Sequence, residues 1–213
     1  MRPRSSPQAG GDGDSAVDLL ARFRDGDRAA FDAIVVDFQE RLIQFFYRLS
    51  WDMARAEDLT QTLFMKLLRG ASGYRPEGKL ATYLFRVATN LWIDHYRSMR
   101  PHARVFSLDQ ALLDGFEPSA RVEAPADRME NAENRERLRD SLERLSEPHR
   151  LVFELAVYQE LPYAEIGTIL DIPVGTVKSR MHNAVKALRD LLAERVEDRA
   201  DSFRAHDPRR GIA

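Results

Sequence analysis

The sequence predicts an all-α fold of two small helical domains joined by a flexible acidic linker, on three observations. Between Arg28 and Met99, apolar residues recur at helical spacing in three long segments. From Val105 to Asn134 there are seven acids against two arginines, a net of −5, with two prolines and no sustained period. Beyond that, two helical patterns are separated by Asp171-Ile172-Pro173, the mark of a helix-turn-helix.

A chain of 213 residues has room for two domains that each bury a core. The net charge of −2 gives no global basic field, so any nucleic-acid binding must come from local clusters. The absence of cysteine excludes disulfides, thiolate-ligated metals and thiol redox chemistry. No signal-peptide core is expected at the start, and no run approaches the roughly eighteen apolar residues of a membrane span. A cytoplasmic protein is therefore expected, with no membrane insertion. The five histidines (His95, His102, His149, His182, His206) lack ligand spacing, and no phosphate loop or nucleophile motif occurs. The expectation is a binding protein, not an enzyme, with no catalytic residue, metal or cofactor.

Residues 1–14, rich in Gly, Pro and Ser, read as a disordered tail. Ser15 is expected to cap a first helix with Val17, Leu20 and Phe23 inward, broken by Asp25-Gly26-Asp27. A long helix follows from Arg28 to Leu49, its core stripe Phe31, Ile34, Val35, Phe38, Leu42, Phe45, Phe46 and Leu49. In the next helix, about Met53 to Arg69, Leu59, Leu63 and Leu67 point inward. Asp58, Gln61, Thr62 and Met65 share another face, a mixture suited to docking. After a loop at Gly70 to Gly78, a helix from Lys79 to Met99 packs Leu80, Leu84, Val87 and Leu91.

The other faces of that helix carry Tyr83, Phe85, Trp92 and Tyr96 among Arg86, Asn90 and Arg97. From Lys79 to Arg104 the net is +4 before histidines are counted. Aromatics beside cations suit single-stranded nucleic acid, since each unpaired base offers a face for stacking. The same pattern also suits aromatics in a core beneath a solvated basic face, Trp92 above all.

Residues 15–100 thus form the first domain and 101–134 the linker. A second domain at 135–195 opens with Leu138, Leu142 and Leu145. Ser146 is expected to cap a further helix with Pro148 in its first turn and Leu151, Val152, Leu155 and Tyr158 inward. The helix-turn-helix then has Ile166, Ile169 and Leu170 in its first helix and Val177, Met181, Ala184, Leu188 and Leu191 in its second. From Val174 to Arg189 the second helix holds Lys178, Arg180, Lys186 and Arg189 and no acid, as a helix entering a phosphate-lined groove requires. Residues 196–213 read as a frayed or disordered tail.

The layout resembles bacterial RNA polymerase sigma factors of the two-domain extracytoplasmic-function (ECF) class. The likeness rests on Ala56-Glu57-Asp58-Leu59 with Gln61 and Phe64, and on Tyr83-Leu84-Phe85-Arg86-Val87-Ala88 with Asn90 and Asp94. In the second domain it rests on Leu145, Arg150, Tyr163-Ala164-Glu165-Ile166 and Ile172-Pro173-Val174-Gly175-Thr176-Val177-Lys178-Ser179-Arg180. It covers about residues 15–195, as a sigma region 2-like bundle and a sigma region 4-like domain.

The resemblance implies that Asp58, Gln61, Thr62, Phe64 and Met65 dock on the clamp helices of the polymerase largest subunit. It implies that Tyr83, Arg86, Asn90, Arg97 and Arg100, with the loop at Gly70 to Gly78, hold the melted non-template strand of the minus-ten element. It implies that Thr176, Lys178, Ser179, Arg180, His182, Asn183 and Lys186 meet the minus-thirty-five element of promoter DNA. The helix around Arg150 to Leu161 would meet the polymerase flap tip, and the acidic linker would thread toward the active-site channel, its charge resembling that of RNA. Control by an anti-sigma factor is common in the family. The chain departs from the family's pattern at Tyr83 (often Trp), Thr62 (Glu), Thr89 (a basic residue), Gly167 (Ala) and Asn183 (Arg). Two other functions fit part of the pattern: a stand-alone helix-turn-helix regulator, and a sigma-like decoy for an anti-sigma factor.

Overall fold

The structure, a computed structural model, describes residues 19–75, 78–99 and 132–205. All its regular elements are helical, with no strand among the described residues, and they form two compact units. The expected cap at Ser15, the tails at 1–14 and 206–213, and most of the acidic linker lie outside the described residues.

In the N-terminal unit, α1 (Leu19–Arg24), α2 (Arg28–Ser50), α3 (Met53–Gly70) and α4 (Leu80–Met99) follow one another, with a 3-10 turn at Ala71–Gly73. Gly26, at φ 109°, makes the corner after α1 that a residue with a Cβ adopts only under strain. Asp27 then caps α2, its carboxylate accepting from the Ala30 amide at 3.3 Å, and Asp52 caps α3 through the Arg55 amide at 3.1 Å. Between them Trp51 takes a left-handed φ of 53° and donates its amide to the Tyr47 carbonyl, closing α2 as a C-terminal cap.

The core is built from the stripes the periodicity indicates. Ile34, Phe38, Leu42, Phe45, Phe46 and Leu49 of α2 face Leu59, Leu63 and Leu67 of α3 and Leu80, Leu84 and Leu91 of α4, all buried. Val35 and Val87 are only half-buried. Phe45 packs edge-on against Phe85 at 5.5 Å, and the Arg41 guanidinium lies 5.3 Å from the Phe85 ring centre.

In the C-terminal unit, α5 (Ala132–Glu143) buries Leu138 and Leu142, and Leu145 is buried just beyond it. Ser146 precedes α6 (Glu147–Phe153), with Pro148 in the first turn as expected, but its hydroxyl makes no capping bond. It lies instead 2.9 Å from His149 Nδ1. Glu147 and Arg150 form a buried ion pair at 2.6 Å, their side chains 4% and 11% exposed.

The continuous helix expected as far as Tyr158 changes pitch at Glu154 and becomes a π-helical turn, Glu154–Tyr158. The Gln159 amide there donates to the Glu154 carbonyl at 3.1 Å, and the Leu161 amide to the Leu155 carbonyl at 3.1 Å. The widened turn contains a buried polar pair, Gln159 Nε2 donating to Glu154 Oε1 at 3.2 Å.

The helix-turn-helix is α7 (Tyr163–Leu170) and α8 (Val174–Ala205). Asp171, at φ 53°, turns the chain, and the Ile172 amide returns to the Gly167 carbonyl at 3.0 Å. A Cβ on Gly167 would stand 3.0 Å from the Ile172 carbonyl oxygen, so the absence of a side chain there lets the turn fold back tightly. Val177, Met181, Ala184 and Leu188 bury one stripe of α8, with Leu191 half-buried at its end. The helix runs past the expected boundary at 195 to Ala205. Residues 193–205 contain neither glycine nor proline, so their composition allows the helix to continue.

Candidate nucleic-acid interface

Three exposed surfaces carry the residues singled out in the sequence. On α3 the inward leucines recur every four residues, which forces Asp58, Gln61, Thr62 and Met65 together within roughly a third of the helix circumference on the opposite side. All four are exposed, Met65 by 50%, and Leu68 and Met53 expose apolar surface on the same helix. Phe64 differs from them. It is half-buried, edge-on to Phe31 with ring centres 6.2 Å apart, and joins this face to the core.

On α4 the side chains sort by depth. Phe85 and Trp92 are fully buried, so the core accounts for these two aromatics. Arg86, Asn90 and Arg97 are exposed and, at spacings of four and seven, form one row along the helix. Tyr83 is half-buried at the head of that row, with the Arg86 guanidinium 5.6 Å from its ring centre. Arg100 lies outside the described residues. Thr89, at a position where the resembling family often has a cation, points inward; it is fully buried and its hydroxyl has no hydrogen-bond partner.

His95 sits one turn beyond Trp92, ring centres 5.8 Å apart, with its Nε2 buried. Burial, and then the charge of Arg55, hold its pKa below the ordinary value. The unfolded chain, with a histidine pKa of about 6.5, therefore takes up protons before the folded one does as pH falls. Stability from neutral His95 is complete above that value and declines as pH drops through the lower folded one. Thermal melting of the N-terminal unit between pH 8 and 5 should show this decline, and His95→Gln should flatten it; equal slopes in the two proteins would exclude His95 as its source.

On α8, His182, Asn183 and Lys186 are exposed, and Thr176, Lys178 and Ser179 are half-buried. Ser179 donates its hydroxyl to the Thr176 carbonyl at 3.1 Å, which ties it to the helix. Arg180 stands apart. It flanks the Val177–Met181–Ala184 stripe and is only 4% exposed, unlike a cation that faces a groove. Arg150, matched to the flap-tip surface, likewise spends its guanidinium on buried Glu147.

Two contributors went unnoticed in the sequence. Arg24, at the end of α1, donates from Nη1 to the Tyr74 carbonyl at 3.1 Å, and Tyr74 buries its ring against Tyr83, centres 4.9 Å apart. A contact between residues fifty apart leaves no periodic trace, and an arginine beside a Gly-rich loop gives no pattern of its own. No group of acids and histidines among the described residues could hold a metal ion.

Residues 34–101 match the family described as Sigma-70 region 2, and residues 135–188 the one described as Sigma-70, region 4. The ECF RNA polymerase sigma factor SigW of Bacillus subtilis is 31% identical over 179 residues, 82% of this chain and 95% of that protein. The ECF RNA polymerase sigma factor SigL of Mycobacterium tuberculosis is 36% identical over 154 residues, 72% of this chain and 83% of that protein. Among solved structures, CnrH in complex with the cytosolic domain of CnrY aligns with a TM-score of 0.64 at 20% identity, covering 85% of this chain and 99% of that one. The sigma factor RpoE in complex with the anti-sigma factor NepR, from Bartonella quintana, aligns at 0.57 and 23% identity over 76% and 96% of the two chains. At those identities the structural likeness is one of fold; with both family matches and relatives above 30% identity, the chain belongs to the ECF RNA polymerase sigma factors.

Proposed function

We propose that the exposed faces divide the work of promoter recognition in this sigma factor. The α3 face, Asp58, Gln61, Thr62 and Met65 with the edge of Phe64, docks on the clamp helices of the polymerase largest subunit. Tyr83 and the row Arg86, Asn90 and Arg97, with Arg100 beyond it, hold the unpaired non-template strand of the minus-ten element. Bases that lose their stacking partners gain protein surface instead, on the order of 1–3 kcal/mol for each stacked base. Melting is thus favoured by binding alone, and the protein acts as a binding factor, not a catalyst.

The face of α8 reads the minus-thirty-five element through Thr176, Ser179 and Asn183, while Lys178, His182 and Lys186 meet phosphates. Arg180 supports that helix from its buried flank. The Arg150 helix meets the flap tip, and the acidic linker repels duplex DNA and takes the path of RNA in the active-site channel. The protein works in the cytoplasm with its polymerase. Two fold neighbours are described in complex with a partner, one of them an anti-sigma factor, and this chain is held in check in the same manner.

The observation that carries this reading is the sorting on α4, where Phe85 and Trp92 are committed to the core and the cations and Asn90 line up outside. Run-off transcription with core polymerase on promoters mapped after overexpression tests it. Lys186→Ala should weaken binding of the upstream duplex about equally across sequences and reduce its salt slope by about one. Asn183→Ala should relax discrimination at one base pair by about 1–3 kcal/mol. If both variants keep the wild-type salt slope and base preference, α8 does not read the upstream element through this face.

A further inference from the structure

We infer that Arg24 is a positioning residue for the strand-holding surface: its guanidinium links the α1–α2 corner to Tyr74 and so sets where Tyr83 and Arg86 stand. This rests on the reading of α4 as the surface that holds the minus-ten strand. The linkage is a chain of short contacts. Arg24 Nε donates to Asp25 Oδ1 at 2.8 Å and Nη2 to Oδ2 at 3.2 Å, a two-pronged grip that fixes the plane of the guanidinium. The remaining Nη1 donates to the Tyr74 carbonyl at 3.1 Å.

Tyr74 is held from its other side by its own amide, which donates to the Ala71 carbonyl at 3.1 Å, so the end of the 3-10 turn is pinned at both backbone atoms. The buried Tyr74 ring then meets the Tyr83 ring at 61°, and the Arg86 guanidinium lies over the far ring. A guanidinium suits this position because its planar fork offers donors in two directions at once. A lysine ammonium also has several donors but no fixed planar fork, so it holds the two acceptors less rigidly.

An ion pair between exposed neighbours contributes little to stability, and replacing Arg24 should leave the fold nearly unchanged. What changes is the freedom of Tyr74, and through it the stance of Tyr83. Burial or charge alone would not single out Arg24, whose hydrogen bonds go to Asp25 and to the Tyr74 carbonyl, outside the three exposed faces.

The test uses holoenzyme assembled from the full chain and core polymerase, with a fluorescent single-stranded oligonucleotide carrying the minus-ten element of a promoter that the holoenzyme transcribes. Arg24→Ala should weaken oligonucleotide binding by about fivefold, the effect of losing roughly one net hydrogen bond. Affinity for core polymerase, binding of upstream duplex and melting temperature should stay as in the wild type, and Arg24→Lys should fall between the two proteins. Tyr83→Ala is the reference. If it weakens strand binding and Arg24→Ala does not, the inference fails while the reading of α4 stands; if Tyr83→Ala has no effect, that reading fails and the inference with it. A drop in melting temperature or in core affinity that accounts for the loss in Arg24→Ala would make Arg24 merely structural. Should Arg24→Ala not fold, full wild-type strand binding by Arg24→Lys would overturn the role of the fork.

Discussion

Trp92→Ala is expected to destabilise the N-terminal unit by about 3–5 kcal/mol, the cost of emptying a core site of an indole. Trp92 is almost fully buried on α4 and packs against the His95 and Tyr96 rings at 5.8 and 6.2 Å. A loss of that size is a large share of the 5–15 kcal/mol that typically separates a folded domain from its unfolded chain. Because Trp92 belongs to one of two compact units, calorimetry should show the transition of the N-terminal unit moving down while that of the C-terminal unit stays in place. Tyr83→Ala, half-buried at the head of the exposed row, should by contrast move that transition little and act on strand binding. If Trp92→Ala melts like the wild type yet binds the strand poorly, Trp92 belongs with the nucleic-acid surface and not with the core of α4.

That contrast marks the limit of what periodicity tells. A helical stripe of leucines states which side of α4 is inside, and Leu80, Leu84 and Leu91 are inside. Phe85 and Trp92 lie beside the stripe, where their angular position fits a wide core face or an aromatic platform equally well. Tertiary placement decides it: Phe45 and Arg41 from α2 lie against the Phe85 ring, and Trp92 is buried. Arg180 presents the opposite case. Charge places it with the groove-facing cations, yet its position at the flank of the Val177–Met181–Ala184 stripe lets the long side chain turn inward.

Helix limits were legible where the stop signal is chemical: Asp25-Gly26-Asp27 and Asp171-Ile172-Pro173 both fall at observed ends. They were not legible where the change is in pitch. The π-helical turn at Glu154–Tyr158 keeps a helix-forming composition, so nothing in its residue types marks the change. Left-handed residues were equally hidden, since Trp51 and Glu160 carry no local preference for the φ of 53° that each adopts. The exposure of Asp58, Gln61, Thr62 and Met65 on α3 was legible for a simple reason: an amphipathic helix with a strict inward repeat fixes its outer face without any knowledge of its neighbours.

That outer face bears the other large effect. Replacing Asp58, Gln61 and Met65 together by alanine should lower affinity for core polymerase by at least about thirtyfold, because a few central side chains of an interface commonly supply about 2 kcal/mol or more each, though not additively. All three are exposed on α3, so melting should shift by no more than about 0.5 kcal/mol for each. Alanine is also a strong helix former, so the backbone that carries them should stay intact. Competition against wild-type protein for core polymerase measures the affinity, and melting of the free chain measures the fold. The two readouts distinguish docking from packing: Leu63→Ala, one helical turn from Thr60 on the buried side, should reduce both together. Unchanged holoenzyme assembly by the triple variant would remove the α3 face from the polymerase interface.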